Sequence, residues 1–246
     1  MKYFWETTGS IKKGVGFTHF DETHLTWIAL FLLVTVAVCL IYRRADTSSR
    51  RALRLTVGTL ILLDEAAKLV MLFATGLFTK NYLPLQLCTI NIFIVAIHML
   101  HPSKMLDNFL YAICTPAAIA ALLLPTWVKL PAANFMHIPS MTIHMLLAIY
   151  PIMLVAGGDI KPRLREVGKC VLLLVAMAIP VYFLNMKLGT NYMFLMKHEN
   201  ILPLKLAEKW TGEHLLAFPV ILAVLILLMY TPWEIAAHEK KKHRAA

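Results

Sequence analysis

Residues 24–42 read HLTWIALFLLVTVAVCLIY and are followed at once by Arg43-Arg44. A run of this length with no charged side chain is long enough to cross a bilayer core of ~30 Å as a helix. Helix is required, because backbone N–H and C=O groups have no other partners inside lipid. The two arginines mark the end of the crossing on the cytoplasmic side. Six more apolar stretches follow, and together they predict helices over residues 24–42, 53–78, 82–100, 108–124, 140–156, 170–188 and 214–230. The chain is therefore expected to be all-α, a single transmembrane domain over residues 1–246 in seven crossings. Its N-terminus is expected outside and its C-terminus in the cytoplasm. Pro116 and Pro180 are expected to kink the fourth and sixth helices. The loops at 125–139 and 189–213 are expected on the outer side.

Composition supports that reading. The chain is 59% hydrophobic and 15% charged, where soluble domains carry nearer a quarter of charged residues. The net charge of +10 raises the question of nucleic acid, but its distribution answers it. All eight arginines, at 43, 44, 50, 51, 54, 163, 165 and 244, fall in segments predicted to lie inside. This is the asymmetry that orients membrane helices, and it suits an anionic inner leaflet. Aromatic-basic stretches of a nucleic-acid surface are missing, so no nucleic-acid partner is expected. The four cysteines, 39, 88, 114 and 170, sit in apolar runs without a C-x-x-C, and disulfides are not expected. The histidines are scattered and no H-E-x-x-H occurs, so neither a metal nor a cofactor is expected. The first 23 residues are polar and aromatic, so a cleavable leader is not expected among them.

Against this apolar background the polar residues stand out. Asp64, Glu65 and Lys68 lie in mid-helix, where charge is expensive and faces protein or water. Their spacings, i,i+4 and i,i+3, let both acids reach the amine. The cluster reads equally as an internally neutralised lock or as part of a site. Cys88 is a candidate nucleophile, expected about two turns below the outer end of the third helix. Asn91 shares its face, and Gln86 points almost the opposite way unless Pro84 distorts the turn. His144 lies at a similar depth on the fifth helix, with Ser140 one turn above to hold its ring. A thiol needs such a base to become a nucleophile. His24 opens the first helix at the same outer level, and Asn191 and Tyr192 follow the sixth helix. His98 and His101 are expected at the inner interface.

The stretch Leu83-Pro84-Leu85-Gln86-Leu87-Cys88-Thr89-Ile90 resembles the L-P-L-H-L-C-S-I signature of the YwaF-like bacterial integral membrane proteins. Gly189-Thr190-Asn191-Tyr192-Met193-Phe194-Leu195, with Lys197 beyond it, is similar to that family's G-T-N-Y-M-F-L-x-x-K-P block. Gln86 stands where the signature has histidine, and His198-Glu199 stands where proline is expected. The family has eukaryotic relatives described as lipid acyltransferases that use a membrane-embedded cysteine. The resemblance implies that Cys88 carries an acyl group and that His144 and Asn191 belong to the site. His24, Asp64, Lys68, Gln86, Asn91 and Tyr192 are then the candidate substrate-binding residues, and membrane phospholipids the expected partners. The expectation is a multi-pass protein of the cell membrane, in a bacterium the inner or plasma membrane. The competing expectation is a non-enzymatic transporter or ligand-binding protein that uses the Asp64, Glu65 and Lys68 cluster.

Overall fold

The computed structural model describes residues 2–245, without the side chains of 240, 241 and 243–245, so most of the basic tail's side chains lie outside the described residues. Among the described residues the regular structure is entirely helical. Helix α1, Glu22–Arg44, starts on Asp21, whose carboxylate accepts the His24 N–H. Helix α2, Thr47–Ala74, starts almost immediately, because Asp46 accepts the Ser49 N–H. It begins earlier than residue 53, since a capping carboxylate and not the first apolar residue sets a helix start. It also stops short of 78, at a turn where Gly76 takes φ +68.

Helix α3, Leu87–Leu100, starts five residues later than expected. Residues Lys80–Tyr82 form a separate 3₁₀ turn, and Gln86 occupies the N-cap position in extended conformation. Cys88 therefore lies in the first turn of α3, not two turns into it. The fourth crossing comprises α4 (Lys104–Phe109), a π turn (Leu110–Cys114) and α5 (Thr115–Leu123). Ser103 starts it by accepting the Leu106 N–H. The distortion expected at Pro116 is taken up by this wide turn just before it, where the Thr115 hydroxyl donates to the Leu110 carbonyl at 2.9 Å.

Helix α6, His137–Gly157, is the central post, with Met141, Leu147, Ala148, Tyr150 and Met153 fully enclosed. It packs against α1, α2, α3 and α5. Helix α7, Val167–Leu188, ends at Gly189 with φ +62. Helix α8, Leu202–Thr211, was not anticipated; Leu202, Leu206 and Trp210 form an exposed apolar stripe along it. Helix α9, Ala217–Ala245, continues the last crossing through the basic tail, well past 230.

Among the described residues, six helical segments are long and apolar enough to cross a membrane: Glu22–Arg44, Lys80–Leu100, Lys104–Leu123, His137–Gly157, Leu164–Leu188 and Ala217–Glu239. Helix α2 differs because its apolar half carries Asp64, Glu65 and Lys68. Its contacts nevertheless place it antiparallel to α6 along the bundle. Near one end Arg50 Nη1 donates to the Gly157 carbonyl at 2.8 Å, and further along Thr142 Oγ1 donates to Asp64 Oδ1 at 2.9 Å. From Arg50 to Asp64 an α-helix rises ~21 Å. Outward-facing positions such as Leu33, Val70, Leu172 and Leu228 are each about two-thirds exposed, as a lipid-facing surface requires.

The Arg50 end is clasped by polar groups. Arg50 also pairs with Asp159 at 3.0 Å, and the Tyr42 hydroxyl donates to the other Asp159 oxygen at 2.5 Å. Gly157 is required there, since a Cβ would lie 2.6 Å from the Tyr42 ring. His98 is not interfacial: it is 2% exposed, 2.9 Å from both the Tyr150 hydroxyl and Asp107 Oδ1. A histidine bonded on both ring nitrogens ties α3, α4 and α6 together.

Candidate active site around Cys88

At the opposite end of the bundle from Arg50, Cys88 Sγ lies 3.0 Å from His144 Nε2. His144 Nδ1 lies 2.6 Å from the Ser140 carbonyl oxygen, one turn earlier on α6. A carbonyl only accepts, so Nδ1 carries the proton in the neutral ring and Nε2 presents its lone pair to the thiol. Ser140 therefore holds the ring, through its backbone; its own hydroxyl donates to the Met136 carbonyl. The indole of Trp127 lies against the imidazole with centroids 5.2 Å apart and planes at 15°. His144 is 8% exposed and Cys88 is half-buried.

The position of Cys88 has its own electrostatic consequence. In the first turn of α3 it sits among backbone N–H groups that lack intrahelical partners, the positive end of the helix dipole. Those N–H groups are placed to stabilise negative charge that develops on sulfur during an attack. The other three cysteines are free too, but Cys114 and Cys170 point their thiols at the carbonyls of Leu147 and Met105. Neither has a base beside it.

The remaining sequence candidates separate into two groups. Beside the pair lie Asn91, Asp64 and Lys68. Asn91 is 1% exposed on α3, one turn from Cys88. Asp64 and Lys68 belong to the stretch of α2 that meets α6 at Thr142, two residues before His144. Lys68 pairs with Glu65 at 2.6 Å, while Asp64 turns to Thr142 and leaves Oδ2 without a partner among the described residues. The expectation that both acids engage the amine thus holds for Glu65 in direct contact and not for Asp64.

The second group is bound up in holding the fold. His24 is fully buried, with Nδ1 accepting the Phe20 N–H at 2.8 Å and Nε2 donating to the Leu122 carbonyl at 2.7 Å. Gln86, freed from the helix by the extended N-cap, accepts the Met193 N–H at 2.9 Å. Asn191 donates to the Lys197 carbonyl and to Glu199, and accepts the N–H groups of Met196 and Lys197. All of its partners lie in its own loop. The hydrogen bonds from Lys197 and Asn191 hold the Glu199 carboxyl below its ordinary range. Tyr192 donates its hydroxyl to the Lys80 carbonyl and exchanges backbone hydrogen bonds with the Asn185 side chain. The whole G-T-N-Y-M-F-L block is a tight loop, with Met193 and Phe194 both at φ +56, pinned onto the start of α3. Non-glycine residues at positive φ persist where surrounding bonds over-determine the backbone.

Trp127 is the participant that sequence did not single out as part of the site. It lies in the loop at 125–139, which was expected on the outer side, and nothing local announces a stack on a residue of α6.

The chain belongs to the TMEM164 family, a transmembrane family whose sequence model matches residues 17–230. No curated protein and no solved structure matches the chain. The matched segment contains Cys88, His144, Trp127 and the loop at Asn191.

Proposed function

We propose that the protein transfers a fatty acyl chain between membrane lipids through a thioester on Cys88, in the leaflet half at the outer end of the bundle. The observation that carries this reading is the 3.0 Å separation of Cys88 Sγ and His144 Nε2, with the imidazole tautomer fixed by Ser140. The resemblance of the Cys88 and Asn191 blocks to YwaF-like proteins, and through them to lipid acyltransferases, points the same way.

The chemistry follows from the tautomer. The Cys88 proton passes to Nε2, giving a thiolate at a helix N-terminus and an imidazolium whose other N–H remains bonded to Ser140. The sulfur adds to an ester carbonyl carbon of a phospholipid, and the carbonyl π pair moves onto oxygen. When that oxygen's pair returns, the C–O bond to the glycerol breaks. The leaving alkoxide takes the proton from Nε2, so a lysolipid departs and the acyl chain stays on sulfur. An acceptor hydroxyl then reverses the sequence, with neutral His144 as base. With His144 only 8% exposed, little bulk water reaches the base that would activate it against the thioester.

The test is intact-mass analysis of purified protein after incubation in bilayers of mixed phospholipids. Cys88 is expected to gain one acyl group, released by hydroxylamine and lost in Cys88→Ala. Unmodified Cys88 combined with charge-coupled solute uptake in proteoliposomes would replace this reading with the transporter.

A further inference from the structure

We infer that Asn91 and Trp127 supply the hydrogen bonds that hold the carbonyl oxygen of the acyl ester while Cys88 attacks its carbon. This rests on the acyl-transfer reading and adds residues to it. Asn91 is 1% exposed, and neither its Nδ2 nor its Oδ1 has a partner among the described residues. A buried carboxamide with no bonds is costly, more so inside a bilayer, and native structures retain few of them. The deficit does not depend on which way the amide is turned, since both of its polar atoms are bare.

Its direction gives the orphan a purpose. Asn91 follows Cys88 by three residues on α3, so the two share a face. Side chains on a helix lean toward its N-terminus, which tilts the Asn91 amide back toward the Cys88 turn. On the other side of the pair, Trp127 stacks on His144 and its Nε1–H is likewise buried and unbonded. Two vacant N–H donors thus flank a nucleophile and its base. Asn191 is not available for this task, because its amide N–H groups are spent on Lys197 and Glu199.

The step balances without any further reactant. Sulfur contributes the electron pair of the new C–S bond, and the C=O π pair becomes a lone pair on oxygen. Asn91 Nδ2–H and Trp127 Nε1–H bond to that oxygen more strongly as it becomes anionic. Collapse of the intermediate restores C=O and expels the alkoxide, protonated by His144 Nε2–H. Neither Asn91 nor Trp127 gains or loses a proton.

An unbonded amide kept for the transition state makes an unusual demand on stability. Asn91→Leu removes the buried polar group, so the melting midpoint is expected to rise while catalysis falls. The experiment uses full-length protein in one detergent with p-nitrophenyl octanoate as acyl donor, and Cys88→Ala as the blank. Asn91→Leu is expected to acylate Cys88 about 10²-fold more slowly. Its alkylation by iodoacetamide, which forms no oxyanion, is expected to match the unmodified protein. Trp127→Phe keeps the ring on His144 but lacks the N–H, and is expected to slow acylation about tenfold with alkylation unchanged. Acylation at the full rate in Asn91→Leu overturns the assignment of Asn91, and a silent Trp127→Phe overturns that of Trp127. A lower melting midpoint with acylation and alkylation falling together makes Asn91 a structural amide instead. Unmodified protein that alkylates at Cys88 but never acylates removes the acyl-transfer reading itself, and this inference with it.

Discussion

His144 Nε2 and Cys88 Sγ meet at 3.0 Å although 56 residues of chain separate them. The contact joins the first turn of α3 to the second turn of α6 and sets Cys88 apart from the other thiols. Iodoacetamide is therefore expected to label Cys88 first in folded protein, with Cys114 and Cys170 labelled after unfolding. His144→Ala should slow labelling of Cys88 near neutral pH without abolishing it. Equal labelling rates at Cys88 before and after this substitution would show that the imidazole does not activate the thiol. In the acylation assay Cys88→Ala should be inactive, and Cys39→Ala, Cys114→Ala and Cys170→Ala nearly silent.

The α2 charges predict an asymmetry. Lys68→Met strands the partly buried Glu65 carboxylate and should destabilise the bundle by about 2–4 kcal/mol. Asp64→Asn keeps an acceptor for Thr142 and leaves the Lys68–Glu65 pair intact, so its cost should stay below ~1 kcal/mol. Thermal unfolding of the two variants measures the difference; equal losses would mean that Asp64 shares the ion pair.

His24 should matter for stability and not for chemistry. His24→Ala leaves the Phe20 N–H and the Leu122 carbonyl without their partner, at ~1–3 kcal/mol for each stranded group. Acylation measured well below the lowered melting point should keep its rate. A selective loss of rate with an unchanged midpoint would bring His24 into the site.

The loop at Asn191 should loosen in acid. Glu199 is held below its ordinary value of 4.5 by Lys197 and Asn191. A lowered folded value means that the stabilisation is complete above the unfolded value and is lost as pH falls through the folded one. Proteolysis within residues 196–200 should therefore be flat above the ordinary glutamate value of 4.5 and become faster as pH falls below it. Glu199→Gln should remove that step.

The arginines predict the orientation. A tag after Ala246 should be protected in intact cells and one before Met1 accessible, with cysteine-free reporters at both ends as the measurement. Protease access to the C-terminal tag from outside would invert the bundle and move the Cys88 end to the cytoplasmic leaflet.

Much of this fold is legible because lipid allows so few backbone solutions: apolar runs had to be helices, and arginines marked one side. Helix starts were less legible, since Asp46, Ser103 and the extended Gln86 set them through capping bonds and local backbone geometry that hydropathy does not register. Cys88 and His144 could be paired from comparable depth on separate helices. That reasoning transferred even though the depth of Cys88 within its helix was wrong, because the turns around Lys80–Tyr82 fill the missing length. The roles of Gln86, Asn191 and Tyr192 were hidden because their partners are backbone groups, which every residue possesses. Trp127 was hidden because stacking leaves no periodic trace in a loop.

The Arg50–Asp159 clasp also sets a schedule for biogenesis. Its two halves are 109 residues apart, so the α1–α2 hairpin is synthesised long before its latch exists. At ~5–20 residues per second the interval is about 5–20 s. Throughout it Arg50 has neither Asp159 nor the Gly157 carbonyl, and the hairpin waits in the bilayer as a provisional assembly. Until then the Arg50 guanidinium can bond only the Ala45 and Arg43 carbonyls of its own hairpin, and the Gly157 carbonyl and Asp159 complete its set of partners when α6 is finished.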